Sequence, residues 1–259
     1  MQNTPWRFID SGFNTGAYNM QLDEHLAREL LAGTGAPTLR LFRWKPWAIS
    51  IGYNQSLNDI NQKKCGEDGI DVVRRPTGGR AILHAEELTY SIVMPAGRNG
   101  VLQIYNEISK GLVAGLRLFG AQVSLQRSQP NFPDVYRRAS SIACFTSSAR
   151  YEIESGGKKL IGSAQRRFSD GTQDIVLQHG SILSGPAHER LFEYINFDNQ
   201  ERAVDVKREL NDHTIDLAEL LQKRIDIESL SVCIKRGFEL EWGISFQQEL
   251  SLSEHRAFA

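Results

Sequence analysis

The residues best suited to covalent chemistry in this 259-residue chain are a cysteine and a lysine fifteen positions apart. Cys144 lies in the apolar stretch SIACF, residues 141–145, and Lys159 opens KLIGSA, residues 159–164. A thiol attacks as its thiolate, and an ordinary thiol with a pKa near 8.5 is only about 3% ionised at pH 7. A neighbouring ammonium that lowered this pKa by about two units would make the thiolate the majority form, a gain of about twentyfold. A cysteine in an apolar run also reads as a small packed core residue. The surrounding sequence has to decide between the two.

Three stretches bear on that decision. RRPTGGRAILH, Arg74–His84, crowds three arginines, two glycines and a histidine into a strand–turn–strand unit. Its glycines open backbone conformations closed to other residues and let main chain approach a ligand. Its arginines offer forked donors to a carboxylate, phosphate or carbonyl. In GGKKLIGSAQ, Lys158 and Lys159 are adjacent in a strand and so point to opposite faces, one to solvent and one to a site. The small residues after them, including Ser163 and Ala164, leave room for a ligand. In LQHGSIL, His179 precedes Gly180 and Ser181 and could line a pocket; a lone strand histidine is also a common structural residue.

Those segments need a scaffold. NMQLDEHLAREL spaces Leu22, Leu26 and Leu30 four apart, a helix. TLRLFRW and WAISIGYN read as strands with Pro46 turning between them, and IDVVRRP as a short strand stopped by Pro76. RAILH and LTYSIVM are expected to pair across the AEE turn. From Val101 the apolar residues Tyr105, Ile108, Leu112, Leu116 and Phe119 keep helical spacing up to Gly120. AQVSLQ is a strand, RYEIESGGKKLIGSAQ a hairpin about Gly156–Gly157, and QDIVLQHGSIL a further strand. After Pro186 the chain turns helical, through AHERLFEYI, DLAELLQKRI and DIESLSVCIKRGFELEW, and SLSE near the end resembles a capping box. This order predicts an α+β domain over residues 1–259. It has a mixed, largely antiparallel sheet with packed helices and a helical C-terminal segment from about 186. Regular βαβ alternation, and with it a Rossmann fold, is disfavoured.

Composition narrows the class. Hydrophobic residues make up 41% and charged residues 24%, with a net charge of −1, so nothing draws the chain to nucleic acid or an anionic membrane. No apolar run approaches the roughly 18 residues of a span, and no signal peptide opens the chain, so a cytoplasmic location is expected. Cys65, Cys144 and Cys233 are too few and too scattered for a disulfide framework. No CxxC or HxxxH spacing suggests a metal, and none is expected.

Taken in order, RRPTGGRAILH, KLIGSA and HGS resemble the biotin/lipoate ligase and transferase superfamily, over about residues 15–195. The TGGRAILH turn, the ACF segment and the lysine fifteen residues after the cysteine resemble the cysteine-dependent octanoyltransferases within it. This resemblance implies the class II aminoacyl-tRNA synthetase-like fold of the superfamily. It implies that Cys144 takes an octanoyl group from octanoyl-acyl carrier protein as a thioester, with Lys159 lowering the thiol pKa. The acceptor is then a lysine of a lipoyl-domain protein, such as glycine cleavage H protein or a dehydrogenase acyltransferase subunit. It implies further that Arg74, Thr77, Gly78, Gly79, Arg80 and His84 shape one side of the acyl and pantetheine site, and Ser163, Ala164, His179, Gly180 and Ser181 the other. No cofactor is implied, since the incoming thioester already carries the activation. Backbone N–H groups near Gly78–Gly79 or Gly180 are candidates for stabilising the oxyanion.

Other readings stay open. An ATP-dependent lipoate–protein ligase carries the same three elements. Such ligases usually place a third glycine where this chain has Arg80, and often add a C-terminal domain. An amidotransferase moving octanoyl between lipoyl domains through cysteine differs in donor alone. A biotin ligase lacks support, because no GRGRxxR loop occurs. A non-catalytic docking paralogue fits poorly with an intact Cys144/Lys159 pair, and a Cys144/His179 hydrolase lacks an evident orienting Asn or Asp.

Overall fold

The computed structural model describes residues 5–125 and 153–247. Cys144 and the SLSE segment lie outside the described residues. The described chain runs β1 (Trp6–Asn14), α1 (Gly16–Leu31), β2 (Thr38–Trp44), β3 (Ala48–Ile51), α2 (Gln62–Glu67), β4 (Asp71–Arg74), β5 (Ile82–His84), β6 (Glu87–Pro95) and α3 (Val101–Leu118). It continues as β7 (Ser124–Leu125), β8 (Ile153–Ser155), β9 (Lys158–Ser169), β10 (Asp174–Leu183), a 3₁₀ segment (Pro186–Tyr194), α4 (Gln200–His213), α5 (Leu217–Leu221), α6 (Ile227–Trp242) and β11 (Phe246–Gln247).

Eight strands form one sheet in the order β11-β1-β2-β6-β10-β9-β8-β7, and three form another in the order β4-β3-β5. The large sheet is mixed: β1 runs parallel to β2 and β11, and the other neighbours are antiparallel. The fold is therefore the α+β arrangement expected. One pairing differs from expectation. RAILH and LTYSIVM do not form a hairpin: β5 pairs with β3 in the small sheet, and β6 lies between β2 and β10 in the large one. Alternating apolar residues identify a strand without naming its neighbour, and the AEE turn carries the chain from one sheet to the other. β1, which the sequence reading left out, is interrupted by a bulge at Ser11–Gly12, where Gly12 takes φ +67°.

Side-chain alternation gives the large sheet two faces. Leu39, Leu41, Tyr90, Ile92, Val176 and Ile182 pack in one core with Ile108, Leu112 and Leu116 of α3 and Leu230, Ile234 and Phe238 of α6. On the other face Ile9, Val93, Ile175 and Leu177 meet Leu22, Leu26 and Leu30 of α1. Thr15 caps α1, its hydroxyl accepting from the Tyr18 N–H at 3.3 Å.

The α3–α6 crossing depends on glycine. A Cβ on Gly237 would stand 2.2 Å from the Gly115 nitrogen and 2.6 Å from the Gly111 carbonyl oxygen, and one on Gly111 would strike the Phe238 ring at 2.4 Å. Gly237→Ala is therefore expected to destabilise the protein by about 1–3 kcal/mol, because the opposing atoms are backbone and cannot give way. Gly66→Ala, also helical but facing open space, is expected to be neutral or to stabilise by up to about 1 kcal/mol through helix propensity. Denaturant melts of the two variants measure that opposite sign.

Candidate active site

A pocket lies between the α1 face of the large sheet and the small sheet. Its apolar walls are Met20 of α1, Trp44 of β2 and Ile82 of β5. Its polar walls come from Ser50 and Arg75 on the small-sheet side, His84, and Thr89 of β6. Gly162–Ala164 of β9 and His179–Ser181 of β10 complete it. Three sequence segments far apart in the chain thus meet in one cavity: the Arg75–His84 stretch through Arg75, Ile82 and His84, the small-residue run of β9, and HGS. The register makes this possible, since His179 lies opposite Ala164 and Ser181 opposite Gly162.

Of the eleven expected binding residues, His84, Ser163, Ala164, His179, Gly180 and Ser181 border the pocket. The TGGR turn stands behind it. Thr77 is fully buried and its hydroxyl meets His179 Nε2 at 2.7 Å. The turn is closed by Arg75, whose guanidinium donates to the carbonyls of Gly78 (2.8 Å) and Arg80 (2.7 Å) and to Ser50 O (2.9 Å). Gly79 takes φ +95°, and its carbonyl oxygen would sit 2.0 Å from a Cβ on Gly52, so both glycines are needed for the turn to press against the small sheet. Arg74 does not line the pocket. Being the strand neighbour of Arg75 it points the other way, and donates to the carbonyls of Gly52, Tyr53 and Gln55. The lining arginine is Arg75.

Gly180 answers to the opposite face. A Cβ there would meet Gly162 O at 2.4 Å, Ser163 Oγ at 2.7 Å and the Tyr90 ring at 2.8 Å. Ser163 Oγ is within 2.7 Å of Tyr90 Oη, and its carbonyl accepts from Tyr105 at 2.6 Å. Burial pushes the Tyr90 phenol up to about 12, keeping it a neutral partner.

Two buried carboxylates that the sequence reading missed anchor the histidines. Asp23 Oδ2 meets His179 Nδ1 at 2.9 Å, and Asp23 Oδ1 accepts from Arg40 at 2.7 Å. Burial works against the Asp23 carboxylate, but Arg40 and His179 hold its pKa below the ordinary value. Glu87 Oε1 meets His84 Nδ1 at 2.9 Å; burial again opposes ionisation, and His84, Thr89 and Ser181 overcome it. Burial lowers the His179 pKa despite Asp23. Asp23 had a signal in the sequence: it sits on the buried stripe of α1 beside Leu22 and Leu26, where a charge needs a partner.

Lys158 and Lys159 divide as strand neighbours should. Lys158 reaches the Asn211 carbonyl and Glu219, part-exposed, whereas Lys159 is buried at 8% exposure and its carbonyl accepts from the Ile215 N–H. Lys159 lies on β9 three residues before Gly162 of the pocket wall. Burial raises the pKa of the Cys65 and Cys233 thiols, which keeps both in the unreactive form.

The family model described as the lipoyl protein ligase A/B catalytic domain matches residues 15–239. This chain belongs to that family. Among curated proteins, Octanoyltransferase LipM of Kyrpidia tusciae is 35% identical, covering 98% of this chain and 93% of its own length. Octanoyltransferase LipM of Geobacillus kaustophilus is 34% identical, with 100% and 94% covered, and that of Bacillus subtilis 33%, with 99% and 95%. The chain is an acyltransferase of the lipoyl protein ligase A/B family. Solved structures agree on the fold. The bipartite lipoate protein ligase of Thermoplasma acidophilum superposes with TM-score 0.75 at 17% identity, covering 98% of this chain and 90% of that one. A lipoate-protein ligase A bound with ATP superposes with TM-score 0.73 at 19% identity, covering 97% and 91%. No described helix is long and apolar enough to cross a membrane.

Proposed function

We propose that this enzyme transfers an octanoyl group from octanoyl-acyl carrier protein to a lysine of a lipoyl-domain protein, through a thioester on Cys144. The pocket carries the reading. Met20, Trp44 and Ile82 give the pocket an apolar wall that can take a short acyl chain, and the hydrogen-bonded side chains of Ser50, Arg75, His84, Thr89 and His179 stand around it. The curated relatives named octanoyltransferase, aligned over nearly the whole chain, support that acyl group. Burial raises the pKa of the Cys65 and Cys233 thiols, which makes neither a ready nucleophile and so supports the choice of Cys144.

In this scheme the Cys144 thiolate, favoured by Lys159, attacks the donor thioester carbonyl. The pantetheine thiolate leaves, and the exchange is close to balanced because one thioester replaces another. The acceptor amine then attacks the acyl-cysteine and forms an amide, the downhill step. Splitting the transfer this way is nucleophilic catalysis, and no ATP enters. Gly180 is paired on both sides, with Tyr90 and Ser163, so its N–H belongs to the sheet.

Intact-mass measurement tests the reading. Mixing the enzyme with octanoyl-acyl carrier protein is expected to add one octanoyl group, removable by hydroxylamine, without ATP. An octanoylated lipoyl domain serving equally well as donor would indicate an amidotransferase. Modification of the acceptor only with free octanoate and ATP would indicate a ligase.

A further inference from the structure

The wall of the pocket holds a directed chain of hydrogen bonds ending on a ring nitrogen. Arg75 Nη1 donates to Ser50 Oγ at 3.1 Å, Ser50 Oγ is 2.7 Å from His84 Nε2, and His84 Nδ1 is 2.9 Å from Glu87 Oε1. The directions follow from the groups at the ends. Arginine and tryptophan can only donate. Thr89, which accepts from Trp44 Nε1 at 2.7 Å, gives its hydrogen to Glu87, and Ser181 donates to the same oxygen at 2.8 Å. Glu87 thus stands as an ionised acceptor, which assigns the His84 proton to Nδ1 and leaves Nε2 to accept from Ser50. The Trp44 ring stacks on His84 at 3.9 Å and fixes its plane. In this tautomer His84 has a carboxylate behind it and a hydroxyl in front, and both Ser50 and His84 border the pocket.

We propose that Ser50, His84 and Glu87 form the relay that removes the proton from the attacking amine, an inference that rests on the acyl-cysteine reading above. The first half-reaction exchanges one thiolate for another and releases no proton. The second must release one. As the amine lone pair forms the C–N bond, its proton passes to the Ser50 oxygen while the Ser50 hydroxyl proton passes to His84 Nε2. The C–S bond breaks with its electron pair leaving as the Cys144 thiolate, and the imidazolium, held by Glu87, returns its proton through Ser50 to water. Arg75 occupies one lone pair of Ser50 Oγ, and the other receives the amine hydrogen. The second histidine is less suited. Asp23 already serves Arg40, and Thr77, the hydroxyl before His179, does not border the pocket.

The test separates the half-reactions. Wild type, Ser50→Ala, Glu87→Gln and His84→Gln are mixed with octanoyl-acyl carrier protein, and the isolated acyl-enzymes are then mixed with a lipoyl domain. Intact mass follows each step. Transfer is expected to fall by roughly 10²–10⁴, the usual worth of general base catalysis, and by at least about tenfold more than loading. Equal slowing of both steps, unchanged transfer in Ser50→Ala, or octanoate recovered on Ser50 overturns the relay. Absence of any acyl-enzyme in wild type overturns the acyl-cysteine reading itself. Circular dichroism verifies folding, and Ser50→Ala, the smallest change, decides the matter if the others unfold.

Discussion

Cys144→Ala enzyme is expected to gain no mass from octanoyl-acyl carrier protein and to lose transfer by a factor on the order of 10⁴ or more, the scale seen when a covalent nucleophile is removed. The loss is so large because direct attack by the acceptor amine on a distant carrier thioester has neither the positioning nor the divided barrier of the acyl-enzyme route. A ligase of the same fold would respond differently, since its ATP-dependent activity does not pass through this sulfur. The companion change is Lys159→Met, which keeps the bulk of a side chain only 8% exposed. Its Cys144 is expected to react with iodoacetamide more slowly at pH 7 and to recover at higher pH, as befits a thiol returned towards its ordinary pKa. Octanoate transfer at the normal rate by Cys144→Ala removes the nucleophile assignment, and an unshifted alkylation profile in Lys159→Met removes the activator.

How far the sequence discloses this site depends on whether a residue's signal is local. Helices α1, α3 and α6 follow from apolar spacing, and the β8–β9 hairpin from Gly156–Gly157. His84, Ser163, Ala164 and the HGS triplet stand out because small and polar residues cluster where a strand would otherwise be apolar. Ser50, Trp44, Met20 and Thr89 carry no such mark. Each sits in an ordinary-looking element and reaches the pocket only because the small sheet folds over the α1 face. Arg74 and Arg75 differ by one position, and strand parity alone decides which enters the site; the sequence does not announce that parity in a four-residue strand before a turn. β1 escaped because WRFIDSGFN breaks its alternation at the bulge. Gly52, Gly111, Gly115 and Gly237 are required by atoms distant in sequence, a requirement invisible until the elements are packed.

The Asp23–Arg40 pair joins the stability of this fold to its site, and removing the acid is expected to damage both. Both side chains are fully buried, and Arg40 is further bound by Ser11 Oγ at 3.0 Å, Asn19 O at 3.0 Å and Asn19 Oδ1 at 2.6 Å, with its guanidinium 3.9 Å over the Phe42 ring. Asp23→Ala strands a guanidinium in this interior, at a cost of about 3–5 kcal/mol. For a chain of this size that corresponds to a fall in Tm of roughly 10 °C. The carboxyl pKa lies below its ordinary value of 3.8. The pair's contribution is therefore complete above that value and disappears as pH falls through the folded pKa, so it does not protect against strong acid. Replacing both partners, Asp23→Leu with Arg40→Met, is expected to regain most of the lost Tm, because an apolar pair of similar volume leaves no charge unpaired. Activity is expected to stay low in that double variant. His179 then lacks the carboxylate 2.9 Å from Nδ1 that fixes its ring against the pocket. A thermal melt and an acyl-transfer assay on the same samples separate the two effects. An Asp23→Ala protein melting within about 2 °C of wild type would mean that the buried pair adds nothing to stability, and a fully active double variant would mean that His179 needs no anchor.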